Sequence, residues 1–546
     1  MTPSDDIDVL IVGAGPTGLM LADQLARRGV RFAIVDRHPH PSVHTKALGV
    51  QARTLEIYAK LGIAETAVAR GRPASGANLW ANGRHSARIP LGDIGRDLSP
   101  FPFLLILGQD DNERLLGECL RAHGVEVAWN HELVALAQHT ERVECTLRIA
   151  DGSRRTIKAR WVAGCDGARS AVRELNRVEF PGAPYEHVFF VADTTATGPM
   201  VPGELNVYLL RDGFHLFFPM RGADHWRVVG ILPPALRARD DLAFAEVAPS
   251  VREHIGAGLV FRDCRWLSTY RIHHRRAARF RERRCFLLGD AAHIHSPVGA
   301  QGMNTGLQDA YNLAWKLALV AAGRAADTLL DSYEAERLPV ARRLLDTTDR
   351  AFSVVVSDRW TSRLLRTRVL AKIAATVMRF DATRELAFRT VSQIGIHYRA
   401  GPLSETDGAL PRRSPRPGDR FPWLRLRFAA GAPAEDLFAK LDDTRFNLLL
   451  VGQPAPGAVP FALRDILQIH EIPAGRDNER ELRRAGIQSP AYFLLRPDGH
   501  IGLAGVEAAS RRIERYFTDC LGIGGANLAG SMRANDRAGV TGRGSR

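Results

Sequence analysis

The run Gly13-Ala14-Gly15-Pro16-Thr17-Gly18 has the spacing of a turn that cradles a dinucleotide pyrophosphate, and Asp36 follows at the distance of a ribose-binding carboxylate. Gly13 permits the tight turn, Gly15 lets backbone amides approach phosphate, and Gly18 lets the following helix pack close to its strand. The free N–H groups at that helix start carry a partial positive charge toward the phosphates. A second group is Gly289-Asp290, then His293, His295, Ser296 and Pro297, then Gly299-Ala300-Gln301-Gly302-Met303-Asn304, which opens a helix through Gln308, Asp309 and Trp315. A carboxylate such as Asp290 can hold ligand hydroxyls by charge-assisted hydrogen bonds. The start of the Gly302 helix can stabilise negative charge on a flat ring, and Gly299 and Gly302 leave room for backbone contact with it. Three further groups are Asp166-Gly167-Ala168-Arg169, Gln109 with Glu113 and Leu116, and Arg53 in Ala52-Arg53-Thr54.

These spaced groups, in order from Asp8 to about Arg342, resemble the single-component FAD-dependent aromatic hydroxylases. The His-Ser-Pro and Gly-Met-Asn elements are similar to the phenol and polychlorophenol monooxygenase branch. The resemblance implies FAD as cofactor, NAD(P)H as co-substrate, and O₂ and a small aromatic molecule as reactants. In that family reduced flavin adds O₂ as a C4a-hydroperoxide, which hydroxylates an electron-rich ring and must be shielded from water. Carried over onto this sequence, the cofactor set is Gly13, Gly15, Pro16, Thr17, Gly18, Asp36, Arg37, Lys46, Arg53, Gln109, Asp166, Gly167, Gly289, Asp290, Pro297, Gly299, Gln301, Gly302, Met303 and Asn304. Pro297 and His295 are the candidate catalytic residues, His295 and His293 being placed to assist a phenol proton or to orient the loop. Ala300 stands where relatives often have glycine, and Lys46 where they often have arginine. Two other readings stay open: oxygenation of a polyketide or another non-phenolic substrate, and a flavin oxidoreductase that does not oxygenate. The Trp-x-Trp-x-Ile-Pro segment of flavin halogenases is absent.

The elements that must position these residues follow from periodicity. Residues 8–12 and 32–36 read as buried strands and 16–28 as the helix between them, a βαβ unit that favours a parallel sheet. Between 188 and 272 short alternating strands form a meander, in which Phe214, Leu216 and Phe218 make one apolar stripe, fit for a substrate wall or for ordinary sheet core. Helical pattern holds from 301 to 399, with Gly323 and Pro339 as expected breaks. A Pro/Gly-rich stretch precedes a small module with strands at 446–451 and 467–472 and a hairpin through Asp498-Gly499.

The fold class is therefore α/β: a Rossmann-like FAD-binding domain (1–185 and 270–345) with an inserted mixed or antiparallel β-sheet substrate domain (186–269) and a helical segment (346–400). A linker (401–423), a C-terminal α/β domain (424–523) and a disordered tail (524–546) complete it. That C-terminal domain resembles the thioredoxin-like appendage of the phenol hydroxylase branch. It has no Cys-x-x-Cys, so support or packing in a homodimer is its expected role, not thiol exchange.

Composition sets the boundaries of function. With 45% hydrophobic and 25% charged residues the chain can fill and cover several cores, and no segment reads as a membrane span or a secretory signal. Its net charge of +14 comes from dispersed arginines, without the basic stripe of a nucleic-acid binder. Six scattered cysteines give no metal-type spacing and no disulfide framework, so a reduced, cytoplasmic protein without a metal is expected.

Overall fold

In the computed structural model the strand Asp6–Val12, buried after its first residue and apolar from Val9 on, lies between two parallel neighbours. Phe32–Val35 flanks it on one side and Arg154–Gly164 on the other, and Cys285–Leu287 adds a further parallel strand. The structure describes residues 6–523 apart from 43–46, 82, 211–212, 240, 257, 296–299, 357–379, 430 and 457–462. Of the sequence expectations, Lys46, Ser296, Pro297, Gly299, residues 357–379 of the helical segment and the tail 524–546 lie outside the described residues.

Parallel strands need crossover connections, and the first is the helix Pro16–Ala26, closed by Gly29 in the left-handed conformation (φ +67°). The Gly302–Ala321 helix packs beside it and is buried around most of its circumference, which is why its sequence lacks a polar face. Gly323 (φ +67°) follows the end of that helix, as expected. Pro339 does not break the next one: it sits inside Asp331–Val356 on an exposed side. The carbonyl it leaves without a donor, that of the exposed Ala335, is open to water.

The inserted sheet has eight strands, ordered His293–Ile294, Val260–Arg276, Gly182–Thr197, His225–Ile231, Gly213–Pro219, Leu205–Leu210, Gly76–Ala81 and Arg84–Pro90. It is wider than residues 186–269. Its two long strands start or end outside that range, and Gly76–Ala81 joins it parallel to Leu205–Leu210. Such a pairing joins segments far apart in the chain and leaves no local signature.

The C-terminal unit is thioredoxin-like, with a five-stranded sheet ordered Glu405–Asp407, Ile501–Gly505, Ala491–Leu495, Phe446–Val451 and Leu467–Ile472. Residues 401–423, expected as a linker, are packed: they supply the edge strand Glu405–Asp407 and the fully buried Phe421. Pro/Gly content marks the irregular course of this stretch but neither its short strand nor its packing. Buried ion pairs fasten this unit to the rest. Glu336 accepts from Lys316 Nζ at 2.8 Å and from Arg496 Nη2 at 3.0 Å, and Arg27 meets Asp443 in a two-pronged contact at 2.8 and 2.9 Å. Losing one member of such a pair strands a buried charge.

Candidate active site and cofactor groove

The glycine turn is fixed by contacts that leave no space for a side chain at Gly13 or Gly18. A Cβ on Gly13 (φ +104°) would lie 2.3 Å from the Cys165 carbonyl oxygen, whereas one on Gly15 would meet nothing within 4 Å. Gly15 therefore faces open space at the helix start, where Pro16 supplies the first helical residue without an N–H to satisfy. Asp36 Oδ2 accepts from Ala14 N at 2.8 Å, and its Oδ1 accepts from His38 N at 2.8 Å, so the carboxylate braces the turn as well as standing at its rim. Arg37 beside it is exposed.

The Gly289–Ala291 turn approaches the same helix. Thr17 Oγ1 would lie 2.7 Å from a Cβ on Gly289 (φ +58°) and 2.4 Å from one on Gly306, so three segments meet with no room for a further methyl group. Asp290 is exposed, while Gly289 N donates to Asp309 Oδ2 at 3.0 Å. Asp309 Oδ2 also meets His293 Nε2 at 2.7 Å, and its Oδ1 accepts from Arg337 Nε at 2.6 Å. Burial opposes ionisation there, but Arg337 and His293 hold the carboxyl below the ordinary carboxylate range.

Asp166 and Gly167 (φ +76°) follow the central strand, with the Asp166 Cα 2.8 Å from where a Gly13 Cβ would be. Asp166 Oδ2 accepts from Val172 N at 3.1 Å, its Oδ1 is buried without a partner among the described residues, and burial raises its pKa. Gln109 starts the helix Gln109–Ala122, accepts from Ala47 N and donates to Glu113, whose pKa burial also raises.

At the start of the Gly302 helix the side chains turn inward. Asn304 is wholly buried: its Oδ1 accepts from Gln51 N and Thr54 Oγ1, and its Nδ2 donates to the Gly49 and Ala300 carbonyls. Gln301 Nε2 donates to the Thr390 carbonyl, and Met303 Sδ accepts from Asn112. Ala300 has φ +53°, a conformation that favours glycine, and the missing side chain of Gly49 makes room: a Cβ there would sit 2.5 Å from that of Ala300. His295 stacks on His293 at 6.5 Å and lies 3.4 Å from where a Gly302 Cβ would be. Arg53 stands apart from the turn: its guanidinium donates to Glu56 and to the Asp498 carbonyl, at the junction with the C-terminal unit.

The eight-stranded sheet separates its two faces by strand alternation. Phe217 and Phe190 pack with Val247 and Val251 of the helix Phe244–Ile255. Phe214 and Leu216 lie on the other face with Phe189, Tyr270 and Ile231, and Phe218 reaches Leu48 and Ile106. On that same face, opposite Phe218, stands a residue the sequence did not single out. Arg227 is 1% exposed, holds Asp193 through Nε at 2.6 Å and Nη2 at 2.5 Å, and keeps Nη1 buried without a partner among the described residues. Asp193 lies 34 positions upstream, so no local spacing pointed to the pair.

Residues 6–348 match the family model described as an FAD binding domain. The chain is 35% identical over 532 residues to the 6-methylpretetramide 4-monooxygenase of Streptomyces rimosus, covering 92% of this chain and 91% of that one. The chain belongs to the FAD-dependent aromatic hydroxylase family. It is also 32% identical over 472 residues to the pentachlorophenol 4-monooxygenase of Sphingobium chlorophenolicum, covering 85% and 84% of the two chains. In structure it is similar to aklavinone-11 hydroxylase solved with FAD and aklavinone, at TM-score 0.77 and 25% identity over 94% of this chain and 99% of that one. This family member is an FAD-dependent monooxygenase, an oxidoreductase that uses NAD(P)H and O₂ on a small molecule. The open cradle at Gly15, the exposed Asp290 and the buried Asp166 oxygen are the features that fit the dinucleotide. No helix among the described residues is long and apolar enough to cross a membrane.

Proposed function

We propose that this monooxygenase hydroxylates a phenol held between the start of the Gly302 helix and the apolar face of the eight-stranded sheet. The observation that carries this reading is the row of Tyr270, Phe189, Ile231 and Phe214 across adjacent strands, continued by Leu216 and Phe218 toward the FAD-binding unit. Such a face excludes water and stacks an aromatic ring. Arg227 adds a polar anchor, because its Nη1 can donate to a substrate oxygen while Asp193 keeps the rest of the guanidinium in place.

In the same reading the backbone of Gly13, Gly15 and Gly18 with Pro16 and Thr17 holds the FAD pyrophosphate. Asp36 with Arg37 borders the adenosine side, Asp290 holds the ribityl chain, and Asp166 with Gly167 and Gln109 line the groove. Bound there, FAD supplies hydride acceptance from NAD(P)H and activation of O₂. The N–H groups at Gly302 and Met303 stabilise negative charge on the ring system, and Asn304 keeps that helix start in place. His295, beside Gly302, is the residue placed to take the phenol proton. A cytoplasmic setting is supported by six cysteines, none of them in a disulfide. A homodimer belongs to this reading by resemblance, and light scattering measures it.

A panel of simple phenols, non-phenolic aromatics and a polycyclic polyketide tests the substrate class. Phenols should stimulate NAD(P)H oxidation and gain one oxygen by mass. Stimulation by the polyketide alone would replace the phenol reading with the larger substrate.

A further inference from the structure

Both segments that border the cofactor groove converge on one buried ion pair. Asp309 holds the Gly289 turn through its N–H, and Arg337 Nη2 donates to the Thr305 carbonyl of the Gly302 helix at 3.1 Å while its Nε binds Asp309. Asp309 and Arg337 are 0% exposed. The pair does not end within the FAD-binding unit. Arg337 Nη1 donates to the Tyr398 hydroxyl at 3.0 Å, and the Tyr398 ring packs against His500 of the C-terminal hairpin with centroids 4.3 Å apart. The Arg496 guanidinium lies 5.2 Å from the same ring and is itself fixed by Glu336 and Asp498.

We infer that the thioredoxin-like unit sets the geometry of the cofactor groove, with Tyr398 and Arg337 as positioning residues that carry its contact to the Gly289 turn. The inference rests on the reading of Asp290 as a cofactor ligand. Among the described residues the Arg337 fork has three partners: Nε and Nη2 are committed to Asp309 and Thr305, and the remaining Nη1 bond to Tyr398 fixes the fork about its own axis. A guanidinium is rigid, so a tilt at Nη1 reaches Nε and the Asp309 carboxylate that orients Gly289 N. Asp309 joins the turn and the helix, so its displacement moves both sides of the groove together. Redox chemistry by this unit is not part of the inference, since its hairpin end contributes packing and charge.

Tyr398→Phe keeps the ring on His500 and removes the hydroxyl, and His500→Ala removes the support from the other side. In the full-length protein each variant should weaken FAD binding about two- to tenfold, a part of what one hydrogen bond from a charged donor contributes where it is made. Each should also change the visible circular dichroism of bound flavin, a signal that loss of general stability does not move. Lower melting temperatures with unchanged FAD affinity and unchanged flavin dichroism would overturn the inference and leave the unit a support only. Asp290→Ala, measured beside them, separates the two ideas. If it weakens FAD and the other two do not, only the positioning role fails; if it leaves FAD binding unchanged, the assignment of the turn fails first.

Discussion

A Cβ at Gly18 would lie 1.9 Å from the carbonyl oxygen of Gly13, so the two glycines fix how closely the first helix can follow the first strand. Gly18→Ala must push the helix away from the turn, at about 1–3 kcal/mol of overpacking strain. That strain falls on the cradle, and FAD affinity should drop about tenfold to a hundredfold by flavin titration. Gly117→Ala serves as the control, because a Cβ there meets only the Arg121 side chain at 3.8 Å in an ordinary helix. It should leave FAD affinity unchanged.

Asp290 is exposed next to the tightly packed Gly289 turn. Asp290→Ala should remove charge-assisted hydrogen bonds of about 1.5–3 kcal/mol, again about tenfold to a hundredfold in FAD dissociation constant. Fluorescence titration of the apoprotein with FAD checks it.

Leu216 and Phe217 are neighbours in the chain and point to opposite faces of the sheet. Phe217→Ala opens a cavity under the helix Phe244–Ile255 and should cost about 3–5 kcal/mol in urea unfolding. Leu216→Ala should cost much less stability and instead raise KM for the aromatic substrate, with FAD content unchanged.

Asp23 is fully buried on the first helix, beside the Cys119 thiol. Burial lifts its pKa from an ordinary 3.8 to about 8, with Cys119 and Arg27 opposing the shift. The folded state therefore holds this proton more tightly than the unfolded chain. Its contribution to stability is complete below the unfolded pKa and is lost as pH rises toward about 8. Asp23→Asn mimics the protonated form, so urea midpoints should show it more stable than the parent at about pH 9, with the difference closing toward about pH 4. A constant difference across that range would contradict the assignment.

What could be read in the sequence is what depends on near neighbours. The glycine turn, its helix and Asp36 follow from sterics and periodicity over a few dozen residues, and the alternation of Phe214, Leu216 and Phe218 follows from the pleat. Alternation alone does not say which face is which. That was decided by the helix Phe244–Ile255, which covers Phe217, and by Leu48 and Ile106, which reach Phe218. The pairing of Gly76–Ala81 with Leu205–Leu210, the Arg227–Asp193 pair and the Arg337–Asp309 pair join distant segments, and nothing in either partner's vicinity marks the other. Arg53 shows the opposite limit: its motif was visible, but its guanidinium is engaged by Glu56 and the Asp498 carbonyl, the latter supplied from far along the chain.

The central claim, that this FAD-dependent enzyme places one atom of O₂ on an aromatic ring, is tested most directly by turnover under isotope-labelled O₂ with a phenol that stimulates NAD(P)H oxidation. The account predicts a hydroxylated product carrying one labelled oxygen, formed in step with NAD(P)H consumed. NAD(P)H oxidation that yields only labelled hydrogen peroxide, or a product whose new oxygen comes from water, would contradict it.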